Sequence, residues 1–557
     1  RVSTFRQARL AGMAVAFTSA VAGLTTAAVA QKSATTEMPT REIDANLRFL
    51  SSDLLEGRAP ATRGGALAEQ YIAAQLESYG VRPGANGSFF QKVPIDVVTS
   101  DPSTIKVTAS GKATANLRST DDVVVWAGSV APASEAKGEL VFVGYGAKAP
   151  EYRWDDYKGM DLKGKILLVL VNDPPATAAE PNLFGGKAMT YYGRWTYKYE
   201  EAERQGAAGM LVIHTTFEAG YPWQVVVGSN STEHRLLPRP SNAPAPIGVR
   251  GWIQHDVAAD LLKQAGLDLT QLVKQADTRD FRPIPTGINI DMSFRNTVQH
   301  MSANNVVGLV SGSDSKLATQ YVVYSAHHDH LGIGPAVNGD SIYNGAYDNA
   351  SGVAAILAVA HAAARAPVKP RRSQMFAFVT AEESGLLGSE YFGEHPPVPA
   401  RDIVAAINVD EANPEGPVRD VNVMGDDRSS LGPMLAAMLK PSGIRISPDA
   451  QPQAGHFYRS DHFSFARVGI PSVTVSAGTD FVGKPAGWGK AHEEEYTSKH
   501  YHQPSDEYNP KWPLTGTAQI ADIVYRFGTE LANSTVMPAW NANSEFRVIR
   551  EQSLRAK

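Results

Sequence analysis

From about Asn305 onward the chain alternates short continuous apolar runs with helical segments, and this alternation constrains the fold more than any other feature. Tyr321 to Ser325, Met375 to Thr380, Ile403 to Val409 and Ser472 to Ser476 are runs of the kind found in strands buried on both faces. Between them, the Ala-rich Ser351 to Arg365 reads as a helix, Leu386 to Phe392 starts another, and Thr515 to Leu531 closes the segment with a third. Such alternation predicts an α/β fold with a largely parallel central sheet flanked by helices. Open α/β sheets bind ligands just past the carboxyl ends of their strands. His327-His328-Asp329-His330, Glu382-Glu383 and Asp410 each follow one of the runs directly.

The upstream part reads differently. Ile43, Leu47 and Leu50 recur at helical spacing, and Ala66 to Tyr79 reads as a helix stopped by Gly80. Phe89 to Val125 alternates apolar and polar residues, as half-buried strands do. From about Gly138 to Asp280 short apolar runs, Leu140–Val143, Ile166–Val171 and Met210–Ile213, lie among Pro-, Gly- and aromatic-rich stretches; Glu201 to Gln205 looks helical, and residues 172–250 otherwise read as loops. The expected organisation of the 557 residues is a leader at 1–30, a first part of the main domain at 31–130, a β-rich insert at 131–285 and the rest of the main domain at 286–557. The polar tail beyond about Asn533 is expected to be loosely ordered.

The leader carries Arg1, Arg6 and Arg9 before a run of apolar and small residues from Leu10 that ends Ala28-Val29-Ala30. A positive start, an apolar middle and an A-x-A end are the marks of a secretory signal peptide. The alternative is an N-terminal membrane anchor, which so many Ala, Thr and Ser residues make poor. There are no cysteines, so disulfides, thiolate metal sites and a Cys nucleophile are excluded. The expected location is therefore secreted or periplasmic, in a bacterium. With a net charge of −5 and no basic patch, nothing points to nucleic acid.

Taken singly, the strand-end residues have plain structural readings. A lone His is more often solvated or packed in a core, paired Glu residues before a helix favour its dipole, and Asp348 could cap the helix it precedes. Together, His, Glu and Asp from three strand ends are the donor types zinc accepts in catalytic sites. His502 lies far downstream in Tyr501-His502-Gln503-Pro504-Ser505-Asp506, where Pro504 makes a turn.

The stretches AHHDHLG, NGAYDNASG, TAEESGLLGSEYF, INVD and YHQPSD resemble, in order and spacing, the motifs of the co-catalytic two-zinc aminopeptidase family, which also contains glutamate carboxypeptidase and the transferrin receptor. The resemblance covers about residues 300–535, and LSSDLLEGRAP resembles the family's lead-in. The insert, with VFVGYG, DYKGMDLKGKILLV and GAAGMLVI, resembles a protease-associated domain. A zinc-exopeptidase fold is implied, its mostly parallel or mixed sheet flanked by helices. So are two Zn²⁺ per subunit: one held by His327 and Asp410, the other by Glu383 and His502, with Asp348 bridging. Asp329 would accept the His327 proton and fix its tautomer, Glu382 would be the general base, and Tyr501 would hydrogen-bond the oxyanion. Physical chemistry agrees with these roles: two close metals can share one water and lower its pKa, and a neighbouring carboxylate can take its proton and pass it to the leaving amine.

The implied substrates are peptides and the implied reaction is removal of N-terminal residues. A carboxypeptidase or dipeptidase of the same family is the enzymatic alternative. It would need cations to grip a substrate carboxylate, with Arg459 a candidate. A receptor-like binding protein with a dead site is the non-catalytic alternative, and the presence of all five ligands and Glu382 counts against it. Glutaminyl cyclases depart from the bridging pattern, and no G-x-S-x-G elbow follows a strand. His328 and His330 are expected to line the site rather than bind metal, and Asp461 and His462 to make structural hydrogen bonds.

Overall fold

The computed structural model describes residues 38–231 and 233–555. The expected signal peptide at 1–30 lies outside them. Helix α1 (Thr40–Leu50) buries Ile43, Leu47 and Leu50, the residues whose spacing marked it. Helix α2 (Arg63–Tyr79) begins where the Thr62 hydroxyl accepts the Gly65 N–H and ends on left-handed Gly80. Strand β1 (Phe90–Ser100) follows.

Residues 106–294 build a sheet of their own. Its main strands are β2 (Lys106–Gly111), β3 (Val123–Ala127), β4 (Ala133–Phe142), β5 (Ile166–Leu170), β6 (Gly209–His214) and β7 (Val249–Gln254), with the short strand Ala115–Leu117 antiparallel to β2. Strands β4, β5, β6 and β7 run parallel in that order, and β3 closes the edge antiparallel to β7. Helix α3 (Trp195–Arg204) extends the helix expected at Glu201 to Gln205 toward its N-terminus, and two short helices occupy part of the stretch expected to be loops. Its aromatics explain the difference: Tyr199 is buried with Met210, Val212 and Trp252 of the neighbouring strands, and Trp195, Tyr221 and Trp223 pack against that core on one face of this sheet. They are core residues on short elements, which spacing alone does not reveal.

Strand β8 (Ile284–Val310) belongs to both sheets. Its first half buries Ile288, Ile290, Met292 and Phe294 and pairs with β2 and β4. From Asn296 it pairs with β1, and its last residues pair with the body sheet.

The body contains β9 (Tyr321–His327), helix α4 (Gly352–Arg365), β10 (Ser373–Val379), helix α5 (Leu387–Glu394), β11 (Ile403–Asn408), β12 (Asp420–Met424), β13 (Ser472–Ala477) and helix α6 (Thr515–Asn533). Strands β10, β9, β11 and β13 are parallel, with β8 antiparallel on one side and β12 antiparallel on the other. The sheet is thus mixed with a parallel centre. Helices α1, α2, α4 and α6 cover one face and α5 the other, burying strand side chains between them. Each fully buried Ile, Leu or Val of α4 contributes about 1.5–3 kcal/mol. The tail is more ordered than expected: Trp540 and Phe546 are buried against Phe457 and Phe463, and a helix spans Arg547–Arg555. Two aromatics in a polar stretch anchor it. Among the described residues, no helix is long and apolar enough to cross a membrane.

Candidate metal centre

Strand register places the expected residues at one level. His327 ends β9 beside Val379 of β10, and Ser325 pairs with Asn408 of β11. The chain therefore leaves all three strands at the same edge, carrying His327, Glu382-Glu383 and Asp410 there. Asp348 arrives on the segment before α4, and His502 on a turn after the helix Trp488–Lys499.

Asp348 is the centre of the group. Its Oδ1 lies 3.2 Å from His327 Nε2 and its Oδ2 lies 3.2 Å from His502 Nε2. Each imidazole meets a second carboxylate: His327 Nε2 is 3.1 Å from Asp410 Oδ1, and His502 Nε2 is 3.1 Å from Glu383 Oε2. Two clusters of one His and two carboxylates thus share Asp348, one oxygen each. Asp348 is not the helix cap. Asn349 Oδ1 accepts the Gly352 N–H at 3.0 Å and the Glu411 N–H at 3.1 Å, which leaves Asp348 free to face the imidazoles.

Asp329 is buried beside His327, but its backbone carbonyl is the nearer acceptor for Nδ1, at 3.2 Å against 3.8 Å for the carboxylate. The carboxylate instead accepts the Glu382 N–H at 3.1 Å and steadies the turn that carries both glutamates. Glu382 has a carboxylate oxygen within 4.8 Å of donor atoms of His327 and Asp410, yet makes none of the four carboxylate–imidazole contacts. Tyr501 is 43% exposed and its ring stacks on His502 at 3.8 Å.

The electrostatics separate the two glutamates. Burial pulls both imidazoles down, but Asp410 and Glu382 hold His327, and Glu383 and Asp348 hold His502, well above the usual histidine range. Burial and Asp348 push Glu383 up, yet His502 and His330 keep it at about 2. Burial raises Glu382 well above the carboxylate range, with Glu383 and Asp410 adding to the rise and His327 offsetting only part of it. Adjacent carboxyl groups with divergent pKa values suit divergent roles.

Glu383 Oε1, His502 Nε2 and Asp329 Oδ2 are buried here without an aligned hydrogen-bond partner. Buried polar atoms are nearly always satisfied, and oxygen and imidazole donors aimed at a shared space are what a divalent cation of the zinc type takes up. The residues fit such a metal.

The neighbours of these side chains divide between those the sequence pointed to, His328, His330, Asp461 and His462, and those it did not, Ser460, Arg58 and Asp506. His330 Nδ1 lies 2.7 Å from Glu383 Oε1, whereas His328 points away, its Nε2 3.0 Å from the Asn304 carbonyl. The Ser460 hydroxyl donates to Asp410 Oδ2 at 2.6 Å. His462 is held by the Thr474 hydroxyl at 2.7 Å from Nδ1, while Asp461 is buried near Ser389 with neither oxygen in an aligned hydrogen bond. Arg58 and Asp506, in the quoted stretches LSSDLLEGRAP and YHQPSD, bind the backbone of the ligand loops.

Residues 305–527 match the description of peptidase family M28. Leupeptin-inactivating enzyme 1 of Streptomyces exfoliatus is 26% identical over 194 residues, 34% of this chain and 40% of that protein. Aminopeptidase NAALADL1 of Mus musculus is 32% identical over 131 residues, 23% of this chain and 16% of that protein. The chain thus spans less than half the length of these relatives. An aminopeptidase from Aneurinibacillus sp. strain AM-1 is similar in fold, with a TM-score of 0.50 at 20% identity over 89% of this chain and 95% of that one. With the motifs in order, their side chains converging at the carboxyl edge of a mixed sheet and the family match covering that stretch, the chain carries a peptidase family M28 domain over residues 305–527.

Proposed function

We propose that the chain is a zinc metallo-exopeptidase that removes N-terminal residues from peptides, with two Zn²⁺ held by His327, Asp348, Glu383, Asp410 and His502. The observation that carries this reading is the shared carboxylate: each Asp348 oxygen faces one imidazole, and each imidazole has a further carboxylate. When bound, the metal supplies Lewis acidity toward the scissile carbonyl and an acidified water. Glu382 takes the proton of the attacking water and delivers it to the leaving amine. Asp329 holds the Glu382 backbone in place through its N–H. The Tyr501 hydroxyl donates to the developing oxyanion. The test compares free and N-acetylated peptides alongside metal analysis. Preference for the free amino terminus with two zinc per chain is expected; equal release from blocked peptides, or one zinc per chain, counts against the reading. Export through the 1–30 leader and a protease-associated role for the insert belong to the same proposal.

One observation favours a second reading, a dipeptidase or carboxypeptidase. Arg194 of the insert is 9% exposed and has no carboxylate within ion-pair distance among the described residues. It lies beside Arg459, which bonds the Ala219 and Ala454 carbonyls and rests over Tyr221. Both Nε groups are buried and unpartnered. Arg459 adjoins Ser460, which touches Asp410. A buried Arg194 beside a half-buried Arg459, neither in an ion pair among the described residues, suits a substrate carboxylate. A KM for dipeptides that rises at least tenfold on C-terminal amidation supports this reading, and an unchanged KM removes it.

A further inference from the structure

Arg58 is 1% exposed, and among the described residues no carboxylate lies within ion-pair distance of it. Its guanidinium donates to backbone carbonyls from three segments. Nε reaches His328 at 2.9 Å, Nη1 reaches Leu50 and Asn344 at 2.5 Å, and Nη2 reaches Gly345 at 2.9 Å. His328 follows the ligand His327, and Asn344 and Gly345 lead into Asp348. Asp506, 3% exposed, binds the other half of that segment. Its Oδ1 accepts the Tyr347 N–H at 2.9 Å, its Oδ2 the Asp348 N–H at 3.0 Å, and its carbonyl the Ala346 N–H at 3.0 Å. From residue 344 to 348, every peptide carries a bond to one of these two side chains or to the Asp506 backbone.

The segment has no slack to find this position unaided. Gly345 adopts a φ of +56°, and a Cβ there would stand 2.3 Å from the Asp348 carbonyl and 2.4 Å from the His330 ring. One buried cation on the carbonyl side and one buried anion on the amide side hold it without meeting as an ion pair. Arg58 adds positive charge near Asp329, Asp506, Asp348 and Glu383. The planar fork serves four carbonyls from three segments at once, one more than the three donors of a lysine could reach.

We propose that Arg58 and Asp506 are positioning residues that set the Asp348 carboxylate between the two half-sites, and through it set metal affinity and turnover. The proposal rests on the metallopeptidase reading above. Groups that orient metal ligands typically matter 10–100-fold in affinity or activity.

The test uses the full chain, stripped of metal and reloaded with zinc against a chromogenic chelator, and with Co²⁺ for its visible absorption. Arg58→Met and Asp506→Asn are each expected to weaken metal binding 10–100-fold, to shift the Co²⁺ bands and to lower kcat far more than they raise KM. Arg58→Lys should restore part of the loss. The double variant should lose less than the product of the two single losses, because both residues hold one segment. Variants with wild-type near-UV dichroism, zinc affinity within threefold of wild type and unchanged Co²⁺ bands would overturn the proposal. Asp506→Asn, nearly isosteric, keeps the test readable if Arg58→Met does not fold. A wild-type chain that binds no divalent metal would remove the metallopeptidase reading itself, which is a separate failure.

Discussion

Replacing Glu382 by Gln removes a proton acceptor with almost no change of shape. If Glu382 is the general base, kcat should fall by roughly 10²–10⁴-fold, about 3–5 kcal/mol of activation free energy. The metal content should hold, because Glu382 makes none of the contacts between the two imidazoles and their carboxylates. A second magnitude comes from crowding. Burial, Glu383, Asp410 and Asp461 all raise the pKa of Glu382, and at an effective dielectric of about 20 each like charge at roughly 5 Å costs about 3 kcal/mol. A carboxyl raised in the folded state weakens the fold as pH climbs from its ordinary value toward its folded one. Metal-free Glu382→Gln should therefore be more stable than metal-free wild type, by a margin that widens as pH rises above about 4.5. Steady-state rates on a peptide p-nitroanilide, metal analysis and urea unfolding at several pH values measure all three effects. A kcat within tenfold of wild type refutes the base assignment. Loss of one metal would make Glu382 a ligand instead.

Other outcomes follow from the same geometry. Chelation should abolish activity and lower the unfolding midpoint; at a metal concentration of about 1,000 Kd the bound ion contributes about 4 kcal/mol, and an unchanged midpoint argues against a buried site. Tyr501→Phe should cost roughly 10–100-fold in kcat with KM little changed, and full activity would exclude the hydroxyl as oxyanion donor. Gly388→Ala should destabilise the fold by at least about 1–3 kcal/mol, because its Cβ would stand 2.1 Å from the Thr380 carbonyl; a wild-type urea midpoint would show that the Glu382–Glu383 turn can give way. Burial holds His462 at about 3, so the unfolded chain binds the extra proton between that value and about 6.5. Its contribution is complete above about 6.5 and is lost as pH falls, by about 3 kcal/mol at pH 4.5. Equal acid sensitivity in wild type and His462→Gln would refute this.

The sequence alone settled much of the body and of the site. Continuous apolar runs mark strands buried on both faces, so β9, β10, β11 and β13 were legible, and with them the edge at which His327, Glu383 and Asp410 emerge. The five motifs in order marked Asp348 and His502 as well. Tertiary structure decided the rest. Strand β8 serves two sheets because its face pattern changes at about Asn296, and an alternation of period two does not say which sheet it meets. The aromatics of 172–250 became core only once α3 and the short helices packed on the second sheet. Asp348 could have been a helix cap until Asn349 took that bond. Arg58 and Asp506 act on backbone atoms more than a hundred residues away, and a bond to a carbonyl or an amide leaves no residue type for a sequence pattern to show.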